Sequence, residues 1–473
     1  MRPPSLCHSR HLSKPARGRP ANWGKTALLV LPATLLLAGC GGNGSAVTPA
    51  PVTTPTYTLS VSVSGLAGTG LILQNKGTDN LTIVANGVAS FTTRVASGER
   101  YAVAVYQDPA APAQLCQVSN GGGTVATSNV SNVTITCRNG VHAAYAANFA
   151  SNTLSQYALS AANGSLAALA PATVLSGTNP LGIRIDPSGR YAYASNEADN
   201  TVSQYTISAA GGLAPMVPGS VVAGVAPRDM AIDPSGRYAY VVNHGSNTIS
   251  QYTISAVDGS LTAMAPATVI TGINPESVVI DPSGRYAYVA NYGSNTVSQY
   301  TLSAVNGTLS AMTPATVITE INPASVVIDP SGSYAYVANY GSNTVSQYII
   351  STVNGTLSAM APATVITGTN PRSAAIDPSG RYAYVVNEGN NTVSQYTLSG
   401  TTGKLTAITP GSVATGSTPR SVAVDPSGRY AYVANHGSNT VSQYNISAVD
   451  GSLTGMAPAI VITGNNPASV VVR

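Results

Sequence analysis

The chain has 473 residues, a formal net charge of +4, only 8% charged side chains, and 25 Tyr against 2 Phe and 1 Trp. That length allows two or three domains, and an apolar, Thr/Ser/Val-rich composition with so little charge excludes a charge-driven disordered chain. Six cations and no acid fall within residues 1–25, so 4 − 6 leaves the remainder near −2, which removes any basic patch for nucleic acid.

The first segment reads as a targeting signal. Arg2, Arg10, Lys14, Arg17, Arg19 and Lys25 precede an apolar stretch from Thr26 to Leu37, too short for a comfortable membrane span. It ends in Leu37-Ala38-Gly39-Cys40, which resembles the lipobox of bacterial lipoproteins. The resemblance implies a signal peptide over 1–39 and lipidation of Cys40. Gly41, where retained lipoproteins carry Asp, implies an outer-membrane or cell-surface destination, with the membrane as partner through the anchor. Residues 40–56 hold little besides Gly, Pro, Thr, Ala and Val and read as a tether.

Residues 57–138 read as a small β-sandwich. Tyr57–Val63, Leu81–Val84, Ser90–Val95 and Tyr101–Tyr106 alternate with period two, separated by turn residues such as Asn86-Gly87. The module resembles the immunoglobulin-like domains that precede repeat domains in bacterial surface proteins. Cys116 and Cys137 remain once Cys7 and Cys40 are set aside, and in an exported chain they are expected to form a disulfide.

Residues 141–473 carry a repeat. The phrase Asn-Thr-Val-Ser-Gln-Tyr or a near variant ends at Tyr157, Tyr205, Tyr252, Tyr300, Tyr348, Tyr396 and Tyr444. A period of about 48 residues marks a circular or stacked array of one unit. One unit is predicted to hold four strands: Ser277–Ile280, Tyr286–Ala290, Thr296–Ser303, and a fourth from about Thr308 to Ile318. Asp281-Pro282-Ser283-Gly284 makes the first turn and Asn306-Gly307 the third. Such a unit matches one propeller blade. The Asp-Pro-Ser-Gly turn occurs six times but the second and third strands occur seven times. His142 opens the first blade as a strand-edge residue with no inner strand before it, and Asn466–Arg473 is a spare inner strand. Donating the spare strand to the first blade closes a ring of seven.

Tyr-Val-Ala-Asn at Tyr288, Tyr336 and Tyr432, Tyr-Val-Val-Asn at Tyr240 and Tyr384, and the preceding Asp-Pro-Ser-Gly resemble YVTN-repeat propellers and the seven-bladed lactonase family. The resemblance covers 141–473. It implies an all-β, seven-bladed propeller and a family that includes 6-phosphogluconolactonases beside surface repeat proteins. No catalytic residue of those enzymes is carried over by motif.

Two positions vary sharply between blades on one face. After the second-strand Asn stand Phe149, Glu197, His244, Tyr292, Tyr340, Glu388 and His436; after the Pro before the inner strand stand Leu181, Arg228, Glu276, Ala324, Arg372, Arg420 and Ala468. Blades six and seven are expected to gather Arg372, Glu388, Arg420 and His436 on one rim. Arg372, Arg420, Arg228 and His244 are candidate ligand-binding residues for a small anion, since Arg suits carboxylate or phosphate. His436 and Glu388 are candidate catalytic residues, His436 as a general base toward a lactone carbonyl. The turn aspartates are structural, and no metal-ligand spacing, phosphate loop or nucleophile elbow calls for a metal or cofactor. The near-identity of the blades favours an envelope-anchored binding or scaffold module whose partner is an envelope glycan, a protein or a small anion. The alternative is a lactone hydrolase of the 6-phosphogluconolactonase-like kind.

Overall fold

The computed structural model describes residues 54–473 apart from 110, 111 and 113, and the expected signal peptide, Cys40 and most of the tether lie outside the described residues. Thr54–Arg473 forms one compact unit.

The N-terminal module is a two-sheet sandwich. One sheet runs Gly87–Ser90, Leu59–Ser64, Val130–Asn139, Gln114–Ser119; the other runs Asp79–Ile83, Leu71–Asn75, Arg100–Gln107, Gly122–Thr124. Leu59–Ser64 pairs with Val130–Asn139 in parallel. Leu59, Val61 and Val103, from the alternating segments read in the sequence, pack with Leu71, Leu73 and Ile135 of strands not read there into one shared core, while the expected strand Ser90–Val95 is split between Gly87–Ser90 and Val95–Ala96. Cys116 and Cys137 are direct cross-strand partners with Cα atoms 4.0 Å apart, and they form the disulfide.

Seven four-stranded antiparallel sheets follow. In the fourth blade the strands are Pro275–Ile280, Tyr286–Asn291, Thr296–Leu302 and Leu309–Ile318, within a few residues of the predicted bounds. The repeat motifs are the glue of each blade. Asp281 accepts from the Ser283 hydroxyl and from the backbone N–H groups of Ser283, Arg285 and Tyr286, which pins the first turn. Asn291 is fully buried and donates to the hydroxyls of Thr296 and Ser298, which explains the pairing of the Tyr-Val-Ala-Asn and Asn-Thr-Val-Ser phrases.

Blades hold one another through large-on-small packing. Tyr286, Tyr288 and Met312 of blade four pack against Val326, Ala335 and Val337 of blade five. The Tyr288 hydroxyl donates to Gly355 O of the next blade at 2.5 Å, and Gln299 accepts from Leu357 N at 2.7 Å. The same two contacts join blade seven to blade one, Tyr432 to Gly164 O at 2.6 Å and Leu166 N to Gln443 at 2.6 Å. The last strand, Pro467–Val472, pairs with Ala143–Asn148 and supplies the inner strand of blade one. Every blade, the first included, therefore has four strands, and the ring closes.

The inner strands surround a central channel of about 1280 Å³. The sandwich sits over its Asp-Pro-Ser-Gly end. Arg138 donates to Ser188 O and Gly189 O, both at 2.8 Å; Arg100 stacks on Tyr334 at 3.8 Å and lies 3.7 Å from Asp329; Arg429 lies over Tyr106 at 5.9 Å. These contacts reach blades two, five and seven, so the module spans that mouth.

Candidate functional site at the open mouth

The other mouth is built from the two variable positions. The inner strand enters the channel immediately after its Pro, so Arg228, Glu276, Arg372 and Arg420 line the opening. The residue after each second strand begins the turn beside it. Its N–H is tied to the carbonyl just before that Pro, as in His244 N to Ala226 O at 2.9 Å. Both rings of residues are thus fixed by backbone geometry that every blade shares, and only the side chains differ.

Glu276 is the hub. Its Oε1 accepts from Arg228 at 2.5 Å, and its Oε2 lies 3.5 Å from Arg372 Nη2. Arg228 belongs to blade three, Glu276 to blade four and Arg372 to blade six, so the carboxylate ties the opening from side to side. Arg228 also binds Glu197 at 2.9 Å. Arg420 lies 3.5 Å from Glu388. Burial alone would lower the Arg372 pKa, but Glu276 and Glu388 outweigh it and hold it above the ordinary value. Arg420 goes the other way: burial lowers it despite Glu388.

The two histidines are held neutral. Burial, then Arg420 and Arg372, push His436 down to about 4. Burial, then Arg228, lower His244 despite Glu276. The Asn466 amide nitrogen donates to His436 O at 3.0 Å and faces His436 Nδ1 at 3.4 Å. An amide nitrogen can only donate, so Nδ1 accepts and the neutral ring carries its proton on Nε2. His436 Nε2 and Arg420 Nε are buried and have no hydrogen-bond partner, whereas His244 Nδ1 lies 3.4 Å from Glu276 Oε1. Buried polar groups are rarely left unpartnered, and two side by side at one opening mark it as unusual.

The predicted gathering is partly present. Glu388 meets Arg420, but Arg372 turns across the channel to Glu276, and the hydrogen-bond network joins Glu388 to Arg420 rather than to His436. Arg228 and His244 join through Glu276, which the sequence reading counted among the variable residues without making it a site candidate. Two further residues were missed. Arg184 binds Asp229 at 2.6 Å inside the channel. Asp229 stands where the later blades carry Ser277, Ser325, Ser373, Ser421 and Ser469, and Arg184 stands where they carry Ala or Val. The same departure from the repeat would have found both.

The mouth also has an uncharged sector. The Tyr292 and Tyr340 rings lie 6.1 Å apart, and Val225, Ile273 and Ile321 stand exposed on the adjoining loops where blades six and seven have Thr369 and Ser417. Among the described residues no group of three His, Cys, Asp or Glu side chains is placed to hold a metal ion.

The family described as lactonase, 7-bladed beta-propeller, matches residues 134–272, 251–414 and 411–472. No curated protein sequence matches the chain. Among solved structures, a putative 6-phosphogluconolactonase from Bacteroides fragilis is 19% identical with a TM-score of 0.61, over 70% of this chain and 98% of its own. A putative 6-phosphogluconolactonase from Bacteroides uniformis is 20% identical with a TM-score of 0.61, over 70% and 99%. A periplasmic gluconolactonase from Pseudomonas aeruginosa is 20% identical with a TM-score of 0.59, over 70% and 99%.

Proposed function

Because the chain belongs to the seven-bladed β-propeller lactonase family, we propose that its open mouth hydrolyses a lactone. The observation that carries the reading is the pair of buried, unpartnered groups at that opening, His436 Nε2 and Arg420 Nε. In the proposed reaction, water adds to the lactone carbonyl and the ring C–O bond breaks. The water proton passes to a base and then to the departing alkoxide, giving a hydroxy acid. The His436 tautomer suits it to donate from Nε2 to the developing oxyanion, with Arg420 beside it; donors aimed at such charge give about 10²–10³-fold in rate each. Glu388, held as a partner of Arg420, is then the general base. This reverses the roles expected from sequence, where His436 was the base.

The lipobox-like Leu37–Cys40 and the positive N-terminus support an envelope-anchored enzyme, and the likeness to a periplasmic gluconolactonase is in keeping with that setting. A lactone met outside the cytoplasm is the substrate class favoured here.

A binding or scaffold role is the second reading. One observation favours it: each mouth arginine already has a carboxylate partner, so the opening carries no uncompensated charge. Acid release from glucono-δ-lactone and a panel of aliphatic lactones separates the two. Hydrolysis lowered about 100-fold or more by His436→Ala and by Glu388→Ala supports the enzyme. A wild-type protein inert on the whole panel that still binds gluconate in calorimetry supports the binder.

A further inference from the structure

At the covered end of the channel, one side chain joins three distant segments. His142 lies in the link between sandwich and propeller. Its Nε2 is 2.8 Å from Asp108 Oδ2 of the sandwich, and its Nδ1 is 2.8 Å from the main-chain oxygen of Arg473 on the closing strand. Both partners can only accept. A neutral imidazole has one N–H and satisfies one of them; the protonated ring satisfies both. Asp108 is itself anchored, its Oδ1 accepting from Cys116 N of the disulfide at 2.6 Å.

We propose that the sandwich is a stopper over the second mouth, and that its hold on the closed ring depends on His142 being an imidazolium clasp between Asp108 and the closing strand.

The surroundings favour that charge. The groups facing His142 are Asp108 from the sandwich, Arg473 from the closing strand and Asp425 from the seventh-blade turn. Arg429 follows that turn and lies over Tyr106 and Tyr430. The guanidinium groups of Arg138 and Arg473 are tied to backbone oxygens: both donate to Gly189 O at 2.8 Å. Burial opposes the proton, but the Asp108 hydrogen bond and charge, the Arg473 oxygen and Asp425 outweigh it, and the pKa lies above the ordinary histidine value. The sign follows. A raised value in the docked state gives stability that is complete below the ordinary imidazole range, about 6.5, and is lost as pH rises through the docked value. The other contacts described across the interface, Arg138 on carbonyls, Arg100 on Tyr334 and beside Asp329, and Arg429 over Tyr106, use guanidinium groups that keep their charge throughout. A loosening as pH rises above the ordinary imidazole range therefore reports on His142.

The test is hydrogen exchange at the turns beneath the sandwich, residues 186–190 and 329–333, in the full chain between pH 6 and pH 9, corrected for intrinsic rates. Through the titration of one proton, opening is expected to become about tenfold more frequent per pH unit. His142→Gln should be open at every pH with no such slope. A wild type without the slope, or a His142→Gln protein with the same slope, overturns the clasp. Should His142→Gln fail to fold, the ring can be read directly in the wild type by nitrogen chemical shifts. A His142 midpoint above the ordinary imidazole value of about 6.5, with both nitrogens protonated below it, supports the proposal, and a midpoint at or below that value overturns it. Asp108→Asn should move that titration to lower pH; an unmoved titration also counts against it.

Discussion

The two ends of the channel are made from the same seven strands, yet they obey different rules. At the covered end every complete turn is Asp-Pro-Ser-Gly, and each buried aspartate accepts from its own turn, as Asp281 does. At the open end the blades contribute Leu181, Arg228, Glu276, Ala324, Arg372, Arg420 and Ala468 in succession. Repetition marks what packing requires of each blade, and departure from it marks where chemistry is free to differ. The histidines repeat the contrast. His142, though buried, faces acids and is raised, whereas burial, with Arg420 and Arg372, pushes His436 down to about 4.

The contrast can be broken or sharpened by substitution. The largest effect should come from deleting 467–473, which strips blade one of its inner strand. Urea unfolding should then lose a cooperative transition, a cost on the scale of the whole folding free energy, roughly 5–15 kcal/mol. A truncated chain that melts like the wild type would show that closure is dispensable. Next is Gly355→Ala. Gly355 has φ +76°, and a Cβ there would stand 2.4 Å from a Tyr286 ring carbon; a loss of about 3 kcal/mol is expected. Gly411→Ala, whose Cβ would meet nothing nearer than 3.9 Å, should be close to neutral. Gln299→Leu leaves Leu357 N without its acceptor and should cost about 1–3 kcal/mol by the same measurement.

Open-mouth substitutions should divide differently. Arg420→Ala should lower lactone kcat/KM about 100-fold while moving the urea midpoint little, since a part-exposed ion pair contributes about 1 kcal/mol or less. An equal fall in both would make Arg420 a packing residue. The smallest effect is on pH dependence. His436 is lowered in the fold, so the unfolded chain binds the extra proton between about 6.5 and about 4, and stability should fall as pH drops through that range. His142 predicts the opposite direction on the alkaline side. A stability curve of His436→Phe that keeps the acidic slope would remove His436 as its source.

Much of this was legible in the chain. The 48-residue period, the turn aspartates and the Asn-Gly turns gave strands within a few residues of those observed, because each blade uses local turn chemistry and repeated packing. Arg420 with Glu388 was legible as blades six and seven side by side. Glu276 with Arg372 was not, since it links blade four to blade six across open space and depends on which way two long side chains turn. His142 was read as a strand-edge residue, and nothing local to it shows Asp108 or Arg473 arriving from 34 residues before and 331 after.

Residue order alone determined the blade count, the strand pattern within a blade and the set of positions released from packing. Those follow from interactions within about 50 residues, repeated until the ring shuts. Tertiary structure decided which mouth the sandwich covers, which carboxylate each arginine meets and which histidine keeps its proton. These depend on charges brought together from separate blades and partly removed from water, where the balance of burial against neighbours is set by position in space.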